Sequence, residues 1–151
     1  MNISYIDYSP ATNSLDIFFA GCNPPYCEGC CNPELFCFNA GKFWEDYISD
    51  LIMYYKVYGS LFDNIFLVGG SPNHQDMKQM KQFLDITKRF KKKIWLFARE
   101  ELEGVNKLFF EYCDYIKCGE FIPDLICEDN VQYNVKLATS NQKIYKRDLD
   151  Y

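Results

Sequence analysis

No apolar run in this sequence approaches the roughly 18 residues that a bilayer-spanning helix needs. The first residues, Met1-Asn2-Ile3-Ser4-Tyr5-Ile6-Asp7, lack a basic segment leading into an apolar one. A secretory signal is therefore not expected, and the cytoplasm is the expected compartment. There is no repeat of fixed period, no Gly/Ser- or Pro-rich linker, and no block of like charge beyond Lys91-Lys92-Lys93. The 151 residues therefore read as one domain, 1–151. Basic charge is short as well: 16 Lys and Arg stand against 21 Asp and Glu, a net −5. Such a surface matches neither a phosphate backbone nor anionic lipid, so neither nucleic acid nor membrane is an expected partner. Histidine occurs once, as His74. Its place after Pro72 suits the start of a helix better than the role of proton donor.

What the chain has in abundance is rings and thiols. Aromatic residues make up 18%, enough to build a dense core in a short chain. Eight cysteines are present, and a reducing compartment disfavours pairing them as disulfides. Clustered thiols in that setting bind metal or do chemistry.

The hydrophobic pattern alternates strands with helices. Ile3 to Tyr8 and Leu15 to Phe19 read as strands joined by a turn at Pro10 and Asn13. From Lys42 the residues Phe43, Tyr47, Leu51, Tyr54, Tyr55 and Tyr58 recur at helical spacing, and Tyr54, Tyr55 and Tyr58 are expected in the core. Asn64 to Val68, ending in Gly69-Gly70, has the form of a buried parallel strand and its loop. Met77, Met80, Phe83, Leu84 and Thr87 mark a second helix. Lys93 to Ala98 is a strand, Glu100 to Tyr112 a third helix, Tyr115 to Lys117 a short strand, and Val131 to Ala138 a last apolar run. This order predicts an α/β fold with a mostly parallel sheet. The length allows only part of an eight-unit barrel, so the expected architecture is a partial, open β/α barrel. Ligands in such sheets sit beyond the carboxyl ends of the strands, where the loops after Phe19 and Val68 both fall.

The first of those loops, Ala20 to Gly41, holds three prolines, three glycines and five of the eight cysteines. Cys22, Cys27 and Cys30 lie within nine residues and Cys31 follows directly. Three such thiolates can wrap one face of a cubane iron–sulfur cluster and leave one iron open. A structural zinc site is the alternative, with Cys27 and Cys30 as one pair and Cys113, Cys118 or Cys127 supplying the other. A thioredoxin-like dithiol fits poorly, because three further cysteines flank the pair.

Phe18-Phe19-Ala20-Gly21-Cys22, followed by Cys27-Glu28-Gly29-Cys30-Cys31-Asn32-Pro33-Glu34, resembles the cluster loop of the anaerobic ribonucleoside-triphosphate reductase activating proteins. These are small radical S-adenosylmethionine (SAM) enzymes. Val68-Gly69-Gly70-Ser71-Pro72 is similar to that family's Gly-Gly-Asp/Glu-Pro loop. Ile94-Trp95-Leu96-Phe97 looks like a later strand, and Ser140-Asn141-Gln142-Lys143-Ile144 like its terminal segment. The resemblance implies a fold of the small radical SAM type and a 4Fe-4S cluster held by Cys22, Cys27 and Cys30. It further implies SAM bound near Gly69, Gly70, Ser71 and Asn141. The implied activity is reductive cleavage of SAM and generation of a glycyl radical on the large subunit of an anaerobic reductase, with a flavodoxin or ferredoxin as one-electron donor. The alternatives are a radical SAM enzyme acting on another glycyl-radical enzyme or a small molecule, and a non-catalytic zinc or iron–sulfur interaction module.

The chain departs from the family pattern at named places. Four residues, not three, separate Cys22 from Cys27, and an outward bulge of Pro24-Pro25 is the expected remedy. Ser71 replaces an acidic residue. Ala98-Arg99-Glu100 stands where Thr-Gly-Tyr is usual, and Cys118 falls in a segment that is usually Asp-Gly-x-Phe. Cys31 takes an aromatic position and is expected to pack as a small apolar group. Cys37, Cys113 and Cys127 are expected to be buried structural thiols.

Overall fold

The computed structural model describes residues 1–151. The strands β1 (Asn2–Ser9) and β2 (Ser14–Ala20) form an antiparallel hairpin, and β3 (Lys42–Phe43) pairs with the outer edge of β1. Then come α1 (Ile48–Tyr58), β4 (Asn64–Gly69), α2 (Met77–Thr87), β5 (Lys93–Phe97), α3 (Lys107–Tyr112) and β6 (Tyr115–Cys118). A small hairpin of β7 (Val131–Gln132) and β8 (Val135–Lys136) precedes the edge strand β9 (Lys143–Lys146). The seven-stranded sheet has the order β3-β1-β2-β4-β5-β6-β9. Its centre, β2-β4-β5-β6, is parallel, and both flanks are antiparallel.

Strand alternation sorts the side chains onto two unlike faces. Leu15, Ile17, Phe19, Ile65, Leu67, Ile94, Leu96 and Ile116 point to one side and join a core with Leu51 of α1, Met80, Phe83 and Leu84 of α2, and Phe109 of α3. All three helices therefore pack on this outer face. On the inner face, Phe66, Trp95 and Tyr115 meet Val135, Leu137 and Ile144 of the C-terminal segment, with no helix between them.

The helices carry local signals for their limits. Asp76 caps α2 by accepting the Gln79 N–H at 2.9 Å, and Asn106 caps α3 by accepting the Leu108 N–H at 3.0 Å. That second cap corrects the expected helix from Glu100: its first part is a 3-10 turn at Leu102–Gly104. The run at Val131 is also two short strands, not one, because Tyr133 and Asn134 adopt positive φ and reverse the chain. His74 ends a 3-10 turn (Pro72–His74) and does not start a helix. Tyr58 is exposed, and only Leu51 of α1 is fully buried, so the tyrosine series is a half-exposed stripe rather than core. No helix is long and apolar enough to cross a membrane.

Candidate metal and cofactor site

The cysteine loop leaves the carboxyl end of β2 and is tied down beside the loop that follows β4. Gly21 N–H donates to the Leu35 carbonyl at 2.8 Å and Cys22 N–H to the Phe36 carbonyl at 3.1 Å. Gly70 N–H donates to Phe19 and Ser71 N–H to Gly21, each at 2.8 Å. The buried Gln75 amide donates to the carbonyls of Ala20, Gly21 and Ser71 at 3.0 to 3.2 Å, latching the two loops together. A Cβ on Gly70 would stand 2.5 Å from the Gly21 carbonyl oxygen, and one on Gly69 (φ +105°) equally close to that of Phe19. Backbone-on-backbone packing thus requires both glycines.

Over the inner face of the sheet lies a cavity of about 500 Å³, within the usual range of ligand sites. Cys22, Cys27 and Cys30 border it, as do Gly69 and Gly70. Phe18, Phe66, Val68, Phe97 and Phe121 give it an apolar lining. Only three charged side chains reach it: Asp16 from β2, Arg99 beyond β5 and Lys117 from β6. Asp16 and Lys117 lie on strands three places apart in the sheet, so the cavity is acidic at one side and basic at the other.

Burial dominates the ionisation of Cys22, Cys30, Asp16 and Lys117. It raises the thiols of Cys22 and Cys30, an effect the Arg99 charge opposes at Cys22 and the Asn32 N–H opposes at Cys30. It raises the Asp16 carboxyl, against the Ser14 hydroxyl, which donates to it at 2.5 Å. Lys117 is lowered to about 8 by burial, and its ammonium donates to the Gly119 carbonyl at 2.6 Å.

A set of soft thiols at the carboxyl edge of a parallel sheet, above a cavity of ligand size, defines a cofactor-binding α/β domain that takes a thiophilic metal group. The chain belongs to the 4Fe-4S single cluster domain family, whose sequence model matches residues 13–145. It is an iron–sulfur protein. No curated protein matches the chain.

The residues present fit such a cluster. No three His, Cys, Asp or Glu side chains are grouped tightly enough to hold a single metal ion, whereas a four-iron cubane meets its thiolates at separate corners. Three thiols of one loop opening onto one cavity suit the wider group. The second zinc pair is unavailable for a positional reason: Cys113 and Cys118 are buried on the helix side of the sheet, away from the cavity. Burial pushes the Cys118 thiol up to about 12, in keeping with an inert structural thiol.

The remaining predicted positions are mixed. Ser71 is buried behind the loop and does not border the cavity, and its hydroxyl has no hydrogen-bond partner. Asn141 does not border it either; its amide donates to the Glu120 carbonyl at 3.0 Å. The neighbouring Gln142 does, and its side-chain oxygen accepts the Ala138 N–H at 3.1 Å. Cys31 and Cys37 are exposed rather than packed, and Cys127 is half-buried. The sequence patterns assign no site role to Asp16, Lys117 or Gln142. The signal for Lys117 was available: a lysine inside the buried strand Tyr115–Cys118.

Proposed function

We propose that this chain is a radical SAM activase, with an open partial β/α barrel of the small radical SAM type, that generates a glycyl radical on the large subunit of an anaerobic ribonucleotide reductase. The observation that carries this reading is the meeting of Cys22, Cys27 and Cys30 with Gly69 and Gly70 around one cavity. A 4Fe-4S cluster with SAM bound there supplies one-electron cleavage of the sulfonium and a 5′-deoxyadenosyl radical able to take a hydrogen atom from a glycine Cα.

The chain's own part is binding, orientation and exclusion of water. Cys22, Cys27 and Cys30 hold the cluster. Arg99 and Lys117 bring positive charge to one side of the cavity, which would suit the carboxylate of SAM. The phenylalanines of the lining keep water from the reacting centre. Because helices cover only the outer face, the inner face leaves room for a glycine presented by another protein. A flavodoxin or ferredoxin is the electron donor in this reading.

Cys31 borders the same cavity and favours a second reading, in which a fourth thiolate closes the site and the chain is a non-catalytic iron–sulfur module. Anaerobic reconstitution separates the two. The activase takes up about four irons per chain and yields 5′-deoxyadenosine on reduction with SAM. Cys27→Ser loses the iron, while Cys31→Ala keeps both iron and product. Iron without 5′-deoxyadenosine in the unaltered protein would establish the module instead.

A further inference from the structure

Between Cys22 and Cys27 the chain passes through Asn23, Pro24, Pro25 and Tyr26, all exposed and in no regular element. The prolines have no N–H to donate, so local backbone bonding cannot hold this stretch. Two contacts from other loops do. Asn23 N–H donates to His74 Nδ1 at 3.0 Å, and Arg99 Nη1 donates to the Pro25 carbonyl. These anchors share one acceptor: His74 Nε2 lies 2.7 Å from Glu100 Oε1, and Arg99 Nε donates to the same oxygen at 3.4 Å. An Nδ1 that accepts and an Nε2 that donates fix the imidazole as a single tautomer. The His74 and Glu100 side chains are only 12% and 20% exposed. They come from separate places, His74 from the turn after β4 and Arg99-Glu100 from the end of β5. On the far side of the segment, Tyr26 stacks on Phe36 with ring centroids 4.0 Å apart.

We infer that His74, Glu100 and Arg99 are positioning residues: a clasp that holds Asn23 to Tyr26 and thereby sets the Cys22 and Cys27 thiols relative to each other. This inference rests on the reading of those thiols as cluster ligands. The clasp orders the segment before any cofactor arrives, so the loss of backbone entropy falls on folding and not on cluster assembly.

The test uses the full chain with His74→Leu, which removes both hydrogen bonds, and His74→Asn, which keeps an acceptor for Asn23 but breaks the link to Glu100. In the metal-free protein, the Asn23 amide of H74L exchanges with solvent about tenfold faster than in the unaltered chain, and H74N falls between. After anaerobic reconstitution, a chelator strips iron from H74L about tenfold faster. An unchanged Asn23 exchange rate in H74L overturns the clasp. Faster exchange with an unchanged rate of iron loss overturns its positioning role. If H74L unfolds, H74N at an unaltered thermal midpoint decides by the same two rates. Should the unaltered protein take up no iron, the cluster reading fails and the positioning role with it, while Asn23 exchange still shows whether the clasp exists.

Discussion

The two faces of the central sheet are built from the same four strands and do opposite work. Leu15, Ile17, Ile65, Leu67, Ile94, Leu96 and Ile116 face the helices and form a dry aliphatic layer, while their neighbours along the chain, Asp16, Phe66, Phe97 and Lys117 among them, face the cavity. The outer face has one task, stability, and carries no ionisable side chain along those strands except the thiol of Cys118. The inner face accepts a buried lysine and a half-buried carboxyl that stability alone would reject. Residue type thus separates structural from functional demand at a resolution of one position.

The sharpest way to break this division is on the helix side. Phe83 of α2 sits edge-on to Phe19 at 5.5 Å and to Trp44 at 6.1 Å. Phe83→Ala is expected to lower unfolding free energy by about 3–5 kcal/mol in urea titration. At the seam between the faces, Gly70→Ala drives a methyl into the Gly21 carbonyl. A loss of about 1–3 kcal/mol follows, and iron uptake falls because the cysteine loop is displaced.

On the cavity side the expected effect is smaller and depends on pH. Folding lowers Lys117 from 10.5 to about 8, so the unfolded chain binds more protons above that pH and stability rises there. Cys118, raised from 9.0 to about 12, acts in the reverse sense: the unfolded thiol ionises first and stability falls above pH 9. Lys117 therefore contributes a rise on the order of 1 kcal/mol from pH 8 to 9, set against a decline from Cys118 and from Cys113, which burial also raises. Lys117→Met abolishes the rise and leaves the decline, as read from urea unfolding at a series of pH values.

The central fold was legible because its signals are local. Asn64 to Val68 and Lys93 to Ala98 are apolar runs long enough for buried strands, and the spacing of Met77, Met80, Phe83, Leu84 and Thr87 admits only a helix. The edges were not legible. β9 pairs with β6 through residues 143–146 and 115–118, a partnership that the mixed polar sequence Lys-Ile-Tyr-Lys does not advertise. In the site, the cysteine spacing named the thiols, but Ser71 and Asn141 proved to lie off the cavity wall. Two departures from the family pattern, the extra residue before Cys27 and the pair Arg99-Glu100, looked independent in the sequence. They meet in space, where Arg99 reaches the Pro25 carbonyl and Glu100 joins it to His74.

The order of strands and helices and the thiol-rich loop are properties of the chain itself, since each follows from hydrophobic period or residue chemistry over a few positions. The tertiary structure alone decided which cysteines share a cavity and which lie behind the sheet, and it alone brought His74, Arg99 and Glu100 to one loop. Those outcomes depend on the pairing of strands distant in sequence, and a chain read residue by residue holds no measure of that distance.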